Sequence, residues 1–255
     1  MAFDAQKATE QIINWIKRYF IRNGNEDTIA VLGMSGGKDS LVAAALCARA
    51  LGPEKVLGVM MPNGEQADIQ DAIDAVAHLR IKSMYFNVGE MCKAHYEELE
   101  SAGIEITPAI TTNVPARMRM ASLYSIAAMK GGRVVCTSNY SERYIGYSTK
   151  WGDGVGDFAP LRDLTVSEIY AIGDYLELPK HLLYKSPSDG MTGKTDEEIL
   201  GFTYKELDDY IRENKFPDDI EHLRKISKRH EMSIHKIADI PTFYYRDTED
   251  ERIYF

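Results

Sequence analysis

The 255-residue sequence predicts an α/β protein: a parallel twisted sheet with helices on both faces, followed by a helical C-terminal part. Three observations carry this reading. Short apolar runs bounded by glycine, proline or polar residues read as buried strands. Helical periodicities fill the gaps between those runs. The last third of the chain shows helix-capping signals and no strand-like run.

The elements follow in order. Ala5, Ala8, Ile12, Trp15, Ile16 and Tyr19 recur at helical spacing, and Asn23-Gly24 ends that helix. Residues 28–33 (TIAVLG) form the first strand, and after a glycine turn an Ala/Leu-rich helix over 39–51 closes at Gly52-Pro53. A second strand over 55–61 stops at Pro62-Asn63-Gly64, a helix covers 66–79, and a third strand lies near 83–88. A helix over 114–130 and a strand over 133–139 continue the alternation. Residues 144–160 are rich in glycine and read as loop. Thr165 with Glu168, Thr195 with Glu198 and Thr203 with Glu206 are capping boxes, and a further helix is expected near 218–230. The stretches around 82–110 and 186–194 are expected to contain loops that order only with ligand. One domain spanning 1–255 is expected, because no linker separates two cores.

Composition excludes several functions. The net charge of −9 repels a phosphate backbone, so no nucleic-acid partner is expected. No apolar window is long enough to span a membrane, and the first twenty residues lack the pattern of a secretory signal. Cys47, Cys92 and Cys136 are far apart, which disfavours a disulfide framework and a zinc ribbon. A cytoplasmic enzyme is the expectation.

The chemistry centres on Ser35-Gly36-Gly37-Lys38-Asp39-Ser40, reached through Gly33 and Met34 directly after the first strand. A helix N-terminus offers unpaired amides and a partial positive charge, and glycines let the backbone close around an anion. A Walker A loop would need Ser or Thr after Gly37-Lys38, but Asp39 stands there. A carboxylate in a phosphate cradle implies a bridging cation, here Mg²⁺ held against a polyphosphate.

S-G-G-x-D-S resembles the pyrophosphate loop of the ATP pyrophosphatases, whose Rossmann-like fold would match the predicted sheet. Further blocks resemble the ammonia-dependent NAD synthetases among them. These are Met61-Pro62-Asn63-Gly64 with Gln66, Asp68 and Asp71; Asn113 to Met120 (N-x-x-A-R-x-R-M); and Thr137 to Glu142 (T-x-N-x-S-E). Gly146 to Asp153 (G-Y-x-T-K-x-G-D), Pro187-Ser188 and His235-Lys236 complete the series. The resemblance implies that ATP adenylates the carboxylate of deamido-NAD and that ammonia displaces AMP. It implies ATP contacts from Gly33, Met34, Ser35, Gly36, Gly37, Lys38, Asp39, Ser40, Thr137 and Ser188, and a Mg²⁺ seat at Asp39 and Glu142. Arg117, Lys150, Asp157, His235 and Lys236 would hold deamido-NAD. Asp153 is the candidate on the ammonia side, with turn formation as its rival reading. A homodimer with the dinucleotide site between subunits is implied, with no glutaminase domain; ammonia would come free or from a separate glutaminase.

The sequence departs from the family at three places. Val166 stands where a lysine associated with ATP phosphates is common, Ile237 where arginine is usual, and Asn63 where tyrosine is common. Lys38 or Arg162 is the expected replacement cation. The competing readings are another amidating ATP pyrophosphatase and an ATP sensor without turnover.

Overall fold

The computed structural model describes residues 3–185 and 195–243. Helix α1 (Ala5–Asn23) is capped by Asp4, whose carboxylate accepts from the Lys7 amide at 3.0 Å. Strand β1 (Ala30–Gly33) leads through the glycine loop into α2 (Lys38–Leu51), which ends at Gly52. Strand β2 (Val56–Met60), helix α3 (Ile69–Leu79) and strand β3 (Lys82–Tyr85) follow. The sheet is four-stranded in the order β3-β2-β1-β4 and parallel throughout, with Ala30 level with both Val56 and Arg133.

Of the two stretches expected to contain ligand-ordered loops, 82–110 holds the expected third strand as β3, then α4 (Gly89–Ser101) and the start of α5, and 186–194 lies outside the described residues. Helix α5 (Pro108–Lys130) begins six residues before the expected 114, because Pro108 occupies its first turn and needs no amide partner there. Pro115 also lies inside α5, without ending it. The expected strand 133–139 contracts to β4 (Arg133–Val134) plus one bridge from Val135 to Phe158. Its remaining residues turn out of the sheet to carry site groups into α6 (Tyr140–Tyr144).

The C-terminal part contains α7 (Val166–Tyr175), α8 (Lys180–Leu183), α9 (Asp196–Leu200), α10 (Tyr204–Glu213) and α11 (Ile220–Ile237). All three capping boxes form, each threonine and glutamate exchanging bonds with the other's backbone. Helix α11 runs seven residues beyond the expected 230.

Alternation along β1 divides the core. Ala30 and Leu32 face α1, α2 and α7, together with Ile16, Leu41 and Ile169. Val31 faces α4 and α5, together with Val59, Cys92, Leu123 and Ile126. Both faces of the sheet are therefore covered. A third cluster of Ile145, Val166, Leu200, Phe202, Tyr204, Leu207 and Ile226 holds the C-terminal helices beneath the carboxyl end of the sheet. No described helix is long and apolar enough to cross a membrane.

Candidate active site at the carboxyl end of the sheet

The glycine loop builds itself before it can bind anything. Gly36 has φ +81°, and a Cβ there would stand 2.7 Å from Asp71 Cβ and 2.8 Å from the Ala72 amide nitrogen. Only glycine lets the loop back so closely onto α3. The Gly37 amide donates to Ser35 Oγ at 3.2 Å, and Ser40 Oγ donates to the Gly37 carbonyl at 3.0 Å. The two serine hydroxyls thus shape the loop. The helix's own unpaired first-turn amides, at Lys38, Asp39 and Ser40, are what remains for an anion.

Asp39 does not cap α2, because Gly37 holds that position without a side-chain bond. Its carboxylate is turned to the site. Oδ1 accepts from Asn139 Nδ2 at 3.1 Å and Oδ2 from Lys38 Nζ at 2.8 Å. Asn139, fully buried, also caps α6 by accepting from the Glu142 amide at 2.9 Å. One asparagine therefore fixes both acids. Burial pushes the Glu142 carboxyl well above the usual carboxylate range, and the Asp39 charge pushes the same way against Lys38. No protein donor among the described residues reaches the Glu142 side chain. Two facing acids, one of them without a donor, suit a hard divalent cation. No group of three or more His, Cys, Asp or Glu among the described residues could hold a metal. Mg²⁺ would thus take its remaining oxygens from phosphate and water, as it prefers.

Behind the acids, the Tyr204 ring lies 5.7 Å from Lys38 Nζ. Its hydroxyl is buried and makes no hydrogen bond among the described residues. Burial and the Glu142, Asp196 and Asp39 charges all raise that phenol. Val166 is buried in the third cluster with Tyr204, so the position where the family commonly has lysine is packing here. Arg162, the other suggested replacement, is exposed, and its charge is felt by Cys136 and Arg143. Thr137 is half-buried, next to the Cys136 that ends the sheet contact. Ser188 lies outside the described residues.

A second group gathers around residues 146–153. Arg117 Nε donates to the Lys150 carbonyl at 3.2 Å, and Lys150 Nζ donates to the His235 carbonyl at 2.7 Å. Lys236 Nζ donates to the carbonyls of Gly146 at 2.9 Å and Ser148 at 3.1 Å. The end of α11 is thus stitched to the loop, and three basic side chains, Arg117, Lys150 and Lys236, meet there, while His235 takes part through its backbone carbonyl. Ile237 gives its carbonyl to the Arg143 guanidinium at 2.9 Å, so α6 supplies an arginine to this corner. Asp153 Oδ1 accepts from the Thr149 amide at 2.8 Å, which fixes the turn. Solvent reaches Asp153, yet the surrounding protein pushes its carboxyl up, against the Thr149 amide and the Lys236 and Arg119 charges.

Asp157 stands apart. Its Oδ2 accepts from the Val134 amide at 2.7 Å, level with Val31 and behind the loop. It rims a cavity of about 710 Å³ lined also by Tyr19, Arg22 and Arg133. Sequence reasoning assigned no role to Tyr204, nor to Asn139 and Arg119, which stood only as letters of the matching blocks; in the structure Arg119 Nε donates to the Met61 carbonyl at 2.8 Å. Asn139 alone had a usable signal: an asparagine three residues before an acid at a strand–helix junction is an N-cap pattern.

Comparison with known proteins fits this geometry. The NAD synthase family model matches residues 8–245. The chain belongs to the NAD synthase family. An NH(3)-dependent NAD(+) synthetase of Carboxydothermus hydrogenoformans is 35% identical over 244 residues, 94% of this chain and 99% of that protein. The solved NMN synthetase of Francisella tularensis overlays with a TM-score of 0.86 at 32% identity, covering 96% of this chain and 100% of that one. The NH3-dependent NAD synthetase of Campylobacter jejuni gives 0.76 at 29% identity, covering 96% and 100%. The matched region spans the loop, both acids and the basic corner alike.

Proposed function

We propose that the protein uses ATP to amidate deamido-NAD with ammonia, giving NAD, AMP and pyrophosphate. The observation that carries this reading is the facing of a phosphate loop and two acids, Asp39 and Glu142, at the carboxyl end of the sheet of an NAD synthase family member. First-turn amides of α2 would cradle the pyrophosphate that leaves, and Thr137 and Ser188 would contact the nucleotide. Mg²⁺, held by Asp39 and Glu142, would neutralise charge building on the phosphate oxygens. Arg117, Lys150, His235 and Lys236 would hold the anionic dinucleotide, oriented so that a carboxylate oxygen meets the α-phosphorus in line. That oxygen bonds to phosphorus as the bond to the bridging oxygen breaks. Ammonia then adds to the acyl carbon, loses a proton and expels AMP. Asp153, its carboxyl pushed above the ordinary carboxylate range by burial, would take that proton.

The finer proposals are a homodimer, a cytoplasmic setting, one domain without its own glutaminase, and ammonia taken free or from a separate glutaminase. The exposed apolar side chains Met91, Tyr124 and Met129 on α4 and α5 offer a surface for a second copy. A second reading has one specific support, the 0.86 overlay on an NMN synthetase: the acceptor would be nicotinate mononucleotide. Chromatography of reactions with ATP, Mg²⁺, and either acceptor, each with ammonium or glutamine, separates these. NAD and AMP from deamido-NAD with ammonium are expected. A strong preference for the mononucleotide supports the second reading, and ATP binding without pyrophosphate release overturns both.

A further inference from the structure

Lys38 is an odd residue for its place. It opens α2, where the helix dipole disfavours a cation, and its side chain is only 4% exposed. In a loop shaped for anions, its ammonium does not reach outward to meet one. It turns back, 2.8 Å from Asp39 Oδ2 and 5.7 Å from the centre of the Tyr204 ring. Glu142 also acts on it electrostatically. The carboxylate pair therefore comes with a cation of its own. Asp39 has one oxygen bonded to Asn139 and the other to Lys38, so neither is free of a proton donor.

We propose that Lys38 is a built-in counter-ion of the Asp39–Glu142 pair, which a divalent cation has to displace from Asp39 and which then turns to the polyphosphate. Two consequences follow from charge alone. An ion arriving by itself meets an acid already neutralised, so it binds weakly. A polyphosphate gives the displaced ammonium a new anionic partner, so nucleotide and ion bind cooperatively. The site would then take metal and nucleotide as a unit and discriminate against either alone. This inference rests on the proposed metal seat.

The test is Mn²⁺ binding by the whole chain, read from the electron paramagnetic resonance of free Mn²⁺, with and without α,β-methylene-ATP. The native protein is expected to bind Mn²⁺ weakly alone and more tightly with the analogue. Lys38→Met, close in shape but uncharged, is expected to tighten Mn²⁺ binding without nucleotide on the order of tenfold and to lose most of the cooperativity. Lys38→Arg, which keeps the charge, is expected to restore the native pattern. Lys38→Gln carries the same expectation as methionine should that variant fold poorly. Unchanged or weaker Mn²⁺ binding by the uncharged variants overturns the counter-ion. Asp39→Asn separates the two readings: it should abolish Mn²⁺ binding, and native-like binding by this variant removes the metal seat itself.

Discussion

Glu142 shows how a single residue trades stability for function. Its acid is pushed up by burial and by Asp39, so the folded chain holds a proton that the unfolded chain releases earlier. Between the ordinary glutamate range and the raised one, the folded state binds more protons. Stability is therefore full at acidic pH and falls as pH rises through that window. Glu142→Gln is expected to flatten this part of the melting-temperature profile and to leave the protein at least as stable at neutral pH. The same variant should lose roughly a hundredfold or more in kcat, since a ligand for developing charge is gone. Melting curves across the pH range, paired with initial rates, check both; a variant that melts lower at neutral pH contradicts the account. Gly36 is the opposite case, where the constraint is steric. Gly36→Ala places a methyl against Asp71 and the α3 backbone at positive φ. It should cost about 1–3 kcal/mol and weaken ATP binding, read by chemical denaturation and calorimetry.

Among the elements, the acids are held by a buried knot. Asp208 on α10 accepts from Ser141 Oγ on α6 and, through Oδ2, from the Ser167 amide at 2.8 Å and Ser167 Oγ at 2.7 Å on α7. Ser141 Oγ in turn accepts from the Val166 amide at 3.0 Å. Three helices thus share one carboxylate next door to Glu142. Asp208→Ala leaves those donors unpaired and should destabilise by about 2–4 kcal/mol, with activity falling further than the folded fraction does. Denaturation midpoints set beside specific activity decide this; equal losses would make the knot structural only. None of the knot was legible in the sequence, because Asp208 sits in a stretch that reads simply as a capped amphipathic helix. The β-α-β order, the glycine loop and the three capping boxes were legible, being written in local spacing and turn chemistry. Helix α4 was not, since Gly89 opens it and Cys92 is its only buried residue, which leaves little apolar periodicity. Arg117, Lys150, His235 and Lys236 could be named through resemblance, but that α11 and residues 146–153 are sewn together by lysine-to-carbonyl bonds is a tertiary fact.

At the scale of the whole molecule, the placement of Asp157 argues for shared sites. The phosphate loop follows the carboxyl end of β1, whereas Asp157 is level with Val31. Two residues back along a strand is about 7 Å, and Asp157 lines a cavity there with Tyr19, Arg22 and Arg133. If Asp157 binds the dinucleotide, as the resemblance implies, a second copy would bring its loop to that cavity. In a two-fold dimer each site would then combine the Asp39 of one subunit with the Asp157 of the other. Asp39→Asn and Asp157→Ala should each abolish most activity alone. Mixed after dissociation and reassembly, half of the dimers are hybrids. Each hybrid has one site carrying both lesions and one carrying neither, so about a quarter of native activity should return. A site built within one chain predicts the contrary, since every site then keeps its lesion and the mixture stays as inactive as its parts. Activity measured against mixing ratio, with the dimer population followed by light scattering, distinguishes the two arrangements.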